Sequence, residues 1–291
     1  MASIVADGAG VPRGLTRLVY VPRFWSRTKS EIETDAGKRL LVAWGFGDDE
    51  AQARTEAERR MQRLSQHFAT GTSDPGEYDY GGGRPLREEI LQVLGPSAIL
   101  TRNRHGAVVL NAASLLFLDV DLPPEGGLGR LGRLLGKKDP VATAVERLRD
   151  ALRTAAPGVG FRLYRTAAGL RVIAVDREFD PAGIETQALM QRTGTDEAFA
   201  RLCRSQKSFR ARLTPKHWRC ACPKPPGEHP REESAKAEFA AWCQRYERAI
   251  EEHATCRYVE TVGSGTPLAK LAHLIQLHDR ATRCEEPLPL A

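Results

Sequence analysis

Two periodicities run through the chain and divide it into strand-like and helix-like stretches. Alternation with period two marks half-buried strands, and recurrence at steps of three and four marks one face of a helix. Residues 1–14 carry neither pattern and read as a disordered tail. Leu15 to Val21 alternates loosely, which predicts a first strand. Ser30 to Thr34 and Arg39 to Trp44 flank the turn signal Asp35-Ala36-Gly37, so a hairpin is expected there. Asp48 and Asp49 can cap a following helix, along which Ala53, Ala57, Met61, Leu64 and Phe68 share one face. Residues 69–85, rich in Gly, Asp and Tyr, read as a long loop of the kind that is usually functional or mobile. A short helix is expected over Leu86 to Leu94.

The next stretch is the most strand-like. Ala98 to Thr101 and Ala107 to Leu110 flank Asn103-Arg104-His105-Gly106. Ser114 to Val120 is nearly continuous in apolar residues, which suits a central strand covered on both faces. After a Gly/Pro/Leu/Lys-rich loop at 123–138, Asp139-Pro140 starts a helix with Val141, Val145, Leu148 and Leu152 facing inward. Phe161 to Thr166 and Leu170 to Val175 form a hairpin around Ala167-Ala168-Gly169, and helices follow at 184–192 and 196–204. Lys216 to Arg231 reads as a Pro-rich, charged linker. Ser234 to His253 is helical, with Phe239, Cys243, Tyr246 and Ile250 on one face. Thr266-Pro267 opens a last helix whose Leu271, Leu274, Ile275 and His278 point inward. The expected fold class is α/β (α+β): a mixed β-sheet flanked by helices over 15–215, then a linker and helical C-terminal section over 216–291.

Composition adds little to that picture, but charge does. The 291 residues are 41% hydrophobic and 27% charged, ordinary for a globular chain large enough to fold without staples. No apolar run reaches the ~18 residues of a membrane span, and the N-terminus lacks the features of a signal peptide. A cytoplasmic location is expected, with reduced thiols at the six cysteines. The net charge is +6, and 34 of the 43 basic residues are arginine, whose planar donors suit phosphate oxygens. The cations cluster. Arg201, Arg204, Lys207, Arg210, Arg212, Lys216 and Arg219 follow one another with no acid from Ala200 to Arg219. Such a run meets phosphates or distant carboxylates. Arg162, Arg165 and Arg171 flank the small-residue turn at 167–169, a second place for a phosphate to approach backbone N–H groups.

Asp119 and Asp121 are the best candidates for chemistry. Two apart in a strand, they point the same way, and a divalent cation would relieve their repulsion. Mg²⁺ or Mn²⁺ is the cofactor this implies, and two such ions could serve phosphoryl transfer. His217-x-x-Cys220-x-Cys222-x6-His229 offers zinc-ligand types, but Cys-x-Cys spacing and the prolines at 223, 225 and 226 suit a tetrahedral clip poorly, so zinc is not expected.

The order of these motifs resembles the catalytic core of archaeo-eukaryotic primases and primase-polymerases, over about residues 95–215. A strand ending in hydrophobic-Asp119-x-Asp121 is followed by a helix, then by the strand-turn-strand Leu163 to Ile173, then by the basic run Arg201 to Leu213. The resemblance implies metal-dependent nucleotidyl transfer. It implies Asp119 and Asp121 as metal ligands and Gly169-Leu170-Arg171 in the place of a small-x-His phosphate motif, with arginine for histidine. A third acidic ligand is implied at Asp176, with Asp180 next. Arg165, Arg171, Arg204, Lys207, Arg210 and Arg212 would contact the phosphates of nucleotide or nucleic acid. A non-catalytic nucleic-acid-binding module and a metal-dependent nuclease are the alternatives, and neither they nor the oligomeric state are separated by sequence.

Overall fold

The computed structural model describes residues 18–34, 37–69, 84–122, 139–263 and 266–291. The expected tail, residues 70–83 of the expected 69–85 loop, the whole of the expected 123–138 loop and the first residues of the expected first strand lie outside them. Its architecture is α+β, with helices and antiparallel sheets and helices in the C-terminal section.

The first hairpin is longer than expected. Strands β1 (Phe24–Thr34) and β2 (Gly37–Gly47) pair in register from Phe24↔Gly47 to Thr34↔Gly37. Residues 18–21 are not a strand, although Val19 is buried and donates to the carbonyl of Pro96. Helix α1 (Glu50–Ala69) lies on the hairpin through Ala53, Ala57 and Met61, the expected face. Gly45 makes the contact possible. A Cβ there would sit 2.1 Å from the Ala57 nitrogen and 2.2 Å from the Ala53 carbonyl oxygen, so only glycine lets the helix backbone come so close.

Two further sheets share one core. The first has the order β10-β7-β8-β6, from β6 (Phe117–Asp121), β7 (Phe161–Thr166), β8 (Gly169–Ala174) and β10 (Cys256–Val262). The second has the order β3-β4-β5-β9, from β3 (Glu89–Val93), β4 (Ala98–Arg102), β5 (Val108–Ala112) and β9 (Phe209–Arg212). Every strand pairing in these sheets is antiparallel, not mixed. Helix α2 (Pro140–Ala155) is capped by Asp139, which accepts from the Val141 nitrogen at 3.1 Å, with Pro140 at the first helical position, as expected. Its Val145, Leu148 and Leu152 enter the core. Helices α3 (Ile184–Arg192), α4 (Glu197–Gln206), α5 (Glu233–Ile250) and α6 (Ala269–Thr282) also fall where the periodicity puts them.

Three expectations need correction. Residues 86–94 are not helical: Glu89–Val93 is a strand, paired to β4 through a bulge between Ile90 and Gln92. The strand carrying the carboxylates starts at Phe117, not Ser114, and it is an edge strand. Its Phe117 and Leu118 are nevertheless fully buried in the shared core, against which Val120 packs. The helical C-terminal section also supplies a strand to the core. Its β10 pairs with β7, and α6 puts Leu271, Leu274 and Ile275 into the same core as β6 and β8. Only 216–250 forms a satellite, where Cys220 and Cys222 pack with Phe239, Trp242 and Tyr246. The expected linker is therefore a packed segment, with a 3-10 turn at His217–Cys220.

Candidate functional site

Register places the functional side chains. On β6 and β8, Asp119 lies opposite Arg171 and Asp121 opposite Gly169, and β7 brings Tyr164 opposite Arg171. Alternation then puts Asp119, Asp121, Arg171 and Tyr164 on one face, the face against which α6 lays His278. Gly169 fits this spot because β6 passes so near: a Cβ would lie 2.2 Å from the Val120 carbonyl oxygen.

Arg171 is only 1% exposed, and each of its contacts is specific. Its Nε donates to Asp119 Oδ1 at 3.2 Å, and its Nη1 donates to the Arg212 carbonyl at 2.8 Å. Nη1 also lies 3.4 Å from His278 Nε2. His278 Nδ1 is 3.0 Å from Asp279 Oδ1, which accepts from the Tyr164 hydroxyl at 2.7 Å. Arg162 closes the chain, with Nε 2.7 Å from that hydroxyl and Nη2 2.9 Å from Asp279 Oδ2. A guanidinium beside Nε2 and a carboxylate beside Nδ1 fix one tautomer, neutral with the proton on Nδ1. Burial, helped by Arg171, pushes the His278 pKa down to about 4 despite Asp279. Burial and the Asp279 carboxylate hold the Tyr164 phenol far above its usual range.

Asp119 is 30% exposed in its side chain, and Asp121 is exposed. Three more cations surround them. Arg212 lies near Asp119, Arg171 and Arg219, and Lys216 lies near Asp121, Asp119, Arg212 and Arg219. Burial lowers the pKa of both Arg212 and Lys216, and the neighbouring cations push the same way. The cluster thus holds Arg171, Arg212, Lys216 and Arg219 against two carboxylates, an excess of two positive charges. Lys216 Nζ stands 5.0 Å over the ring of Trp218, which is half exposed and meets His105 edge-on at 5.2 Å.

Several expected site residues are placed elsewhere. Asp176 follows β8 at the end of the sheet away from Asp121, five residues beyond the partner of Asp119, or ~17 Å along a strand. There its Oδ2 accepts from the Gly160 nitrogen at 2.8 Å. Asp180 lies further on, turning the chain before α3, where its Oδ1 accepts from the Ala182 nitrogen. Arg165 is on the opposite face from Asp119 and donates to the Gly169 carbonyl at 2.9 Å. Arg210 is buried in the second sheet. Its Nη2 lies 2.6 Å from Glu88 Oε1, and it also donates to Asn111 Oδ1. Glu88 accepts from Thr101 at 2.5 Å, and Asn111 donates to Thr101 at 2.9 Å, so the network is closed. Arg204 and Lys207 are exposed on α4 and at its C-cap, with no ion pair among the described residues.

For a divalent cation the fit is partial. Asp119 Oδ1 is engaged by Arg171, leaving Oδ2 and the Asp121 carboxylate to face outward. Among the described residues no group of three or more His, Cys, Asp or Glu side chains is placed to share a metal ion. Two carboxylates still suffice for Mg²⁺, which often takes one or two from protein and the rest from phosphates and water. At the Cys-x-Cys segment, His217 Nδ1 lies 3.0 Å from the Cys222 carbonyl and the Cys220 thiol faces the backbone carbonyls of Lys216 and His217.

Compared with family models, curated proteins and solved structures, the chain has no significant match. Its function is read from the chemistry of the site. Sequence reasoning found Asp119, Asp121, Arg171 and Arg212 but missed Lys216 and Arg219 as their neighbours and missed the relay through His278, Asp279 and Tyr164. Only a fold can bring residue 278 to residue 171. The inward-facing histidine was the one signal available.

Proposed function

We propose that the chain binds the phosphates of a nucleotide or nucleic-acid strand at Asp119 and Asp121 together with Mg²⁺ or Mn²⁺, as a primase-polymerase-like protein of the cytoplasm. The observation that carries this reading is the charge balance. Two carboxylates alone would repel phosphate, whereas here four cations outnumber them at one strand end. Arg171 is not a phosphate ligand in this reading, because it is buried and turned to Asp119 and the Arg212 carbonyl. It positions Asp119. Arg212, Lys216 and Arg219 hold and orient the phosphates, and Asp119 Oδ2 with Asp121 would hold the cation. Bound there, the cation would supply charge neutralisation for nucleotidyl transfer. Among the described residues no helix is long and apolar enough to cross a membrane.

Calorimetric titration with Mn²⁺, with and without a nucleoside triphosphate, tests the site. Asp121→Asn is the clean probe, since Asp121 is exposed, whereas Asp119→Asn would also strip buried Arg171 of its counter-charge. Mn²⁺ should bind more tightly when nucleotide is present, and Asp121→Asn should weaken it by about tenfold or more, as for loss of one charged ligand. No Mn²⁺ binding by the wild type with nucleotide present would refute the site. The same samples on a primed template separate the activities: extension marks a polymerase and shortening a nuclease. Binding with neither marks a non-catalytic module.

A further inference from the structure

A large groove lies between the β1–β2–α1 unit and the second sheet, with a volume of about 970 Å³. This is the upper end of the range for small-ligand pockets. Its walls carry Arg39, Arg60, Arg63, Arg84, Arg87 and Arg104. Buried Arg210 also reaches it, but is neutralised by Glu88. The other acid on the wall among the described residues, Glu228, already pairs with Arg87. Arg60 and Arg63 share the single carboxylate of Glu56, at 2.7 Å and 3.5 Å. Among the described residues the cations on its walls outnumber the acids, and Arg63 and Arg84 are exposed at its surface.

Aromatic rings accompany these cations. Arg87 stacks over Trp44 at 4.2 Å, with Arg27 at 5.5 Å from the same ring, and Arg60 stands over Phe46 at 4.8 Å. Trp25 and Trp44 both line the groove. At its other end stands His105, which meets half-exposed Trp218 and so connects the groove to Lys216 and the carboxylate site. A basic track interleaved with aromatic faces is what a single strand uses, with its backbone on the cations and its bases on the rings. A duplex keeps its base faces stacked inside and has no use for the rings.

We propose that this groove is a seat for single-stranded nucleic acid, running from Arg63 and Arg84 past Arg104 and His105 to Trp218. The proposal deepens the phosphate reading by naming the ligand, and rests on it only for the direction in which the strand runs. Strand binding here needs neither the carboxylates nor the metal.

The test is fluorescence anisotropy with a labelled oligothymidylate in metal-free buffer at rising salt. Each phosphate contact removed should flatten the salt dependence by about one in the log–log slope. The double variant Arg63→Ala/Arg84→Ala should therefore lose between one and two, with affinity down about tenfold. Trp218→Ala should weaken binding by about tenfold without changing the slope, since it removes stacking and no charge. The anisotropy is run without metal and the Mn²⁺ titration without oligonucleotide, so the two readings fail separately. Wild-type affinity and slope in the double variant would overturn the proposal. Duplex of the same length binding as tightly as the single strand would overturn it too.

Discussion

Protonation of His278 should weaken this fold from the inside. The ring is fully buried, with Arg171 at Nε2, Asp279 at Nδ1, and Tyr164 and Phe117 against its faces and edges. A proton on Nε2 would face a guanidinium 3.4 Å away. Burial holds the folded pKa at about 4, against an ordinary value of 6.5. Because the folded pKa is the lower one, the unfolded chain binds the proton first. The stability tied to the neutral ring is complete above pH 6.5 and drains away as pH falls from 6.5 towards 4. At about 1.4 kcal/mol for each tenfold change in proton affinity, that interval corresponds to about 3 kcal/mol. This is a large share of a typical folding free energy of about 5–15 kcal/mol. The assay is urea unfolding between pH 7 and pH 4.5, wild type beside His278→Gln, whose amide offers Arg171 an acceptor and Asp279 a donor. The variant starts less stable but should lose about 2–3 kcal/mol less over this range. His105, also held at about 4 by burial and nearby cations, contributes equally to both proteins and cancels. A pH dependence shared by wild type and variant within about 1 kcal/mol, or an NMR titration of His278 above pH 6, would refute the reasoning.

Two further outcomes follow from contacts already described. Arg210→Met should cost about 3–5 kcal/mol by leaving Glu88 buried without its cation, and Glu88→Gln in the same chain should restore most of it; thermal melts that show Arg210→Met unchanged would return Arg210 to a surface role. Gly169→Ala should cost about 1–3 kcal/mol in denaturant titration, because its Cβ presses on the Val120 carbonyl and forces the Asp119–Asp121 strand away from β8; an unchanged midpoint would mean the strands relax freely.

Local signals in the sequence located the hairpin at 161–174 and the helices that begin at Asp139 and after Thr266, because caps, prolines and a clean stripe act within one element. They failed where the deciding partner is distant. Leu86, Ile90 and Leu94 sit at helical spacing, yet pairing with β4 through a bulge turns the segment into a strand. Ser114 to Val120 is apolar enough for a central strand, and nothing in its own residues says that the cap residue Asp196 rather than another strand will meet its edge. Cys256 to Val262 does alternate, with Cys256 and Val262 buried at its ends, so β10 was legible and was missed. The carboxylate pair was legible for the same reason as the hairpin, since spacing of two in a strand needs no tertiary knowledge. The fate of the basic run was not: Arg210 and Arg212 are two residues apart, yet one meets Glu88 and the other the Asp119 cluster.

The start of α4 against β6 has a consequence for assembly. An exposed sheet edge is a template on which another chain can add a strand. Here the Asp196 nitrogen, at the cap of α4, donates to the Asp119 carbonyl at 2.9 Å and occupies that template on the β6 side. At the opposite edge, β10 gives the Tyr258 N–H to the Cys284 carbonyl, and the adjoining Thr255 N–H goes to Thr282. Both margins of the carboxylate sheet are thus engaged by the chain's own C-terminal turn and helix cap. A partner strand adding at either margin would first have to displace the bond at Asp119 or the one at Tyr258.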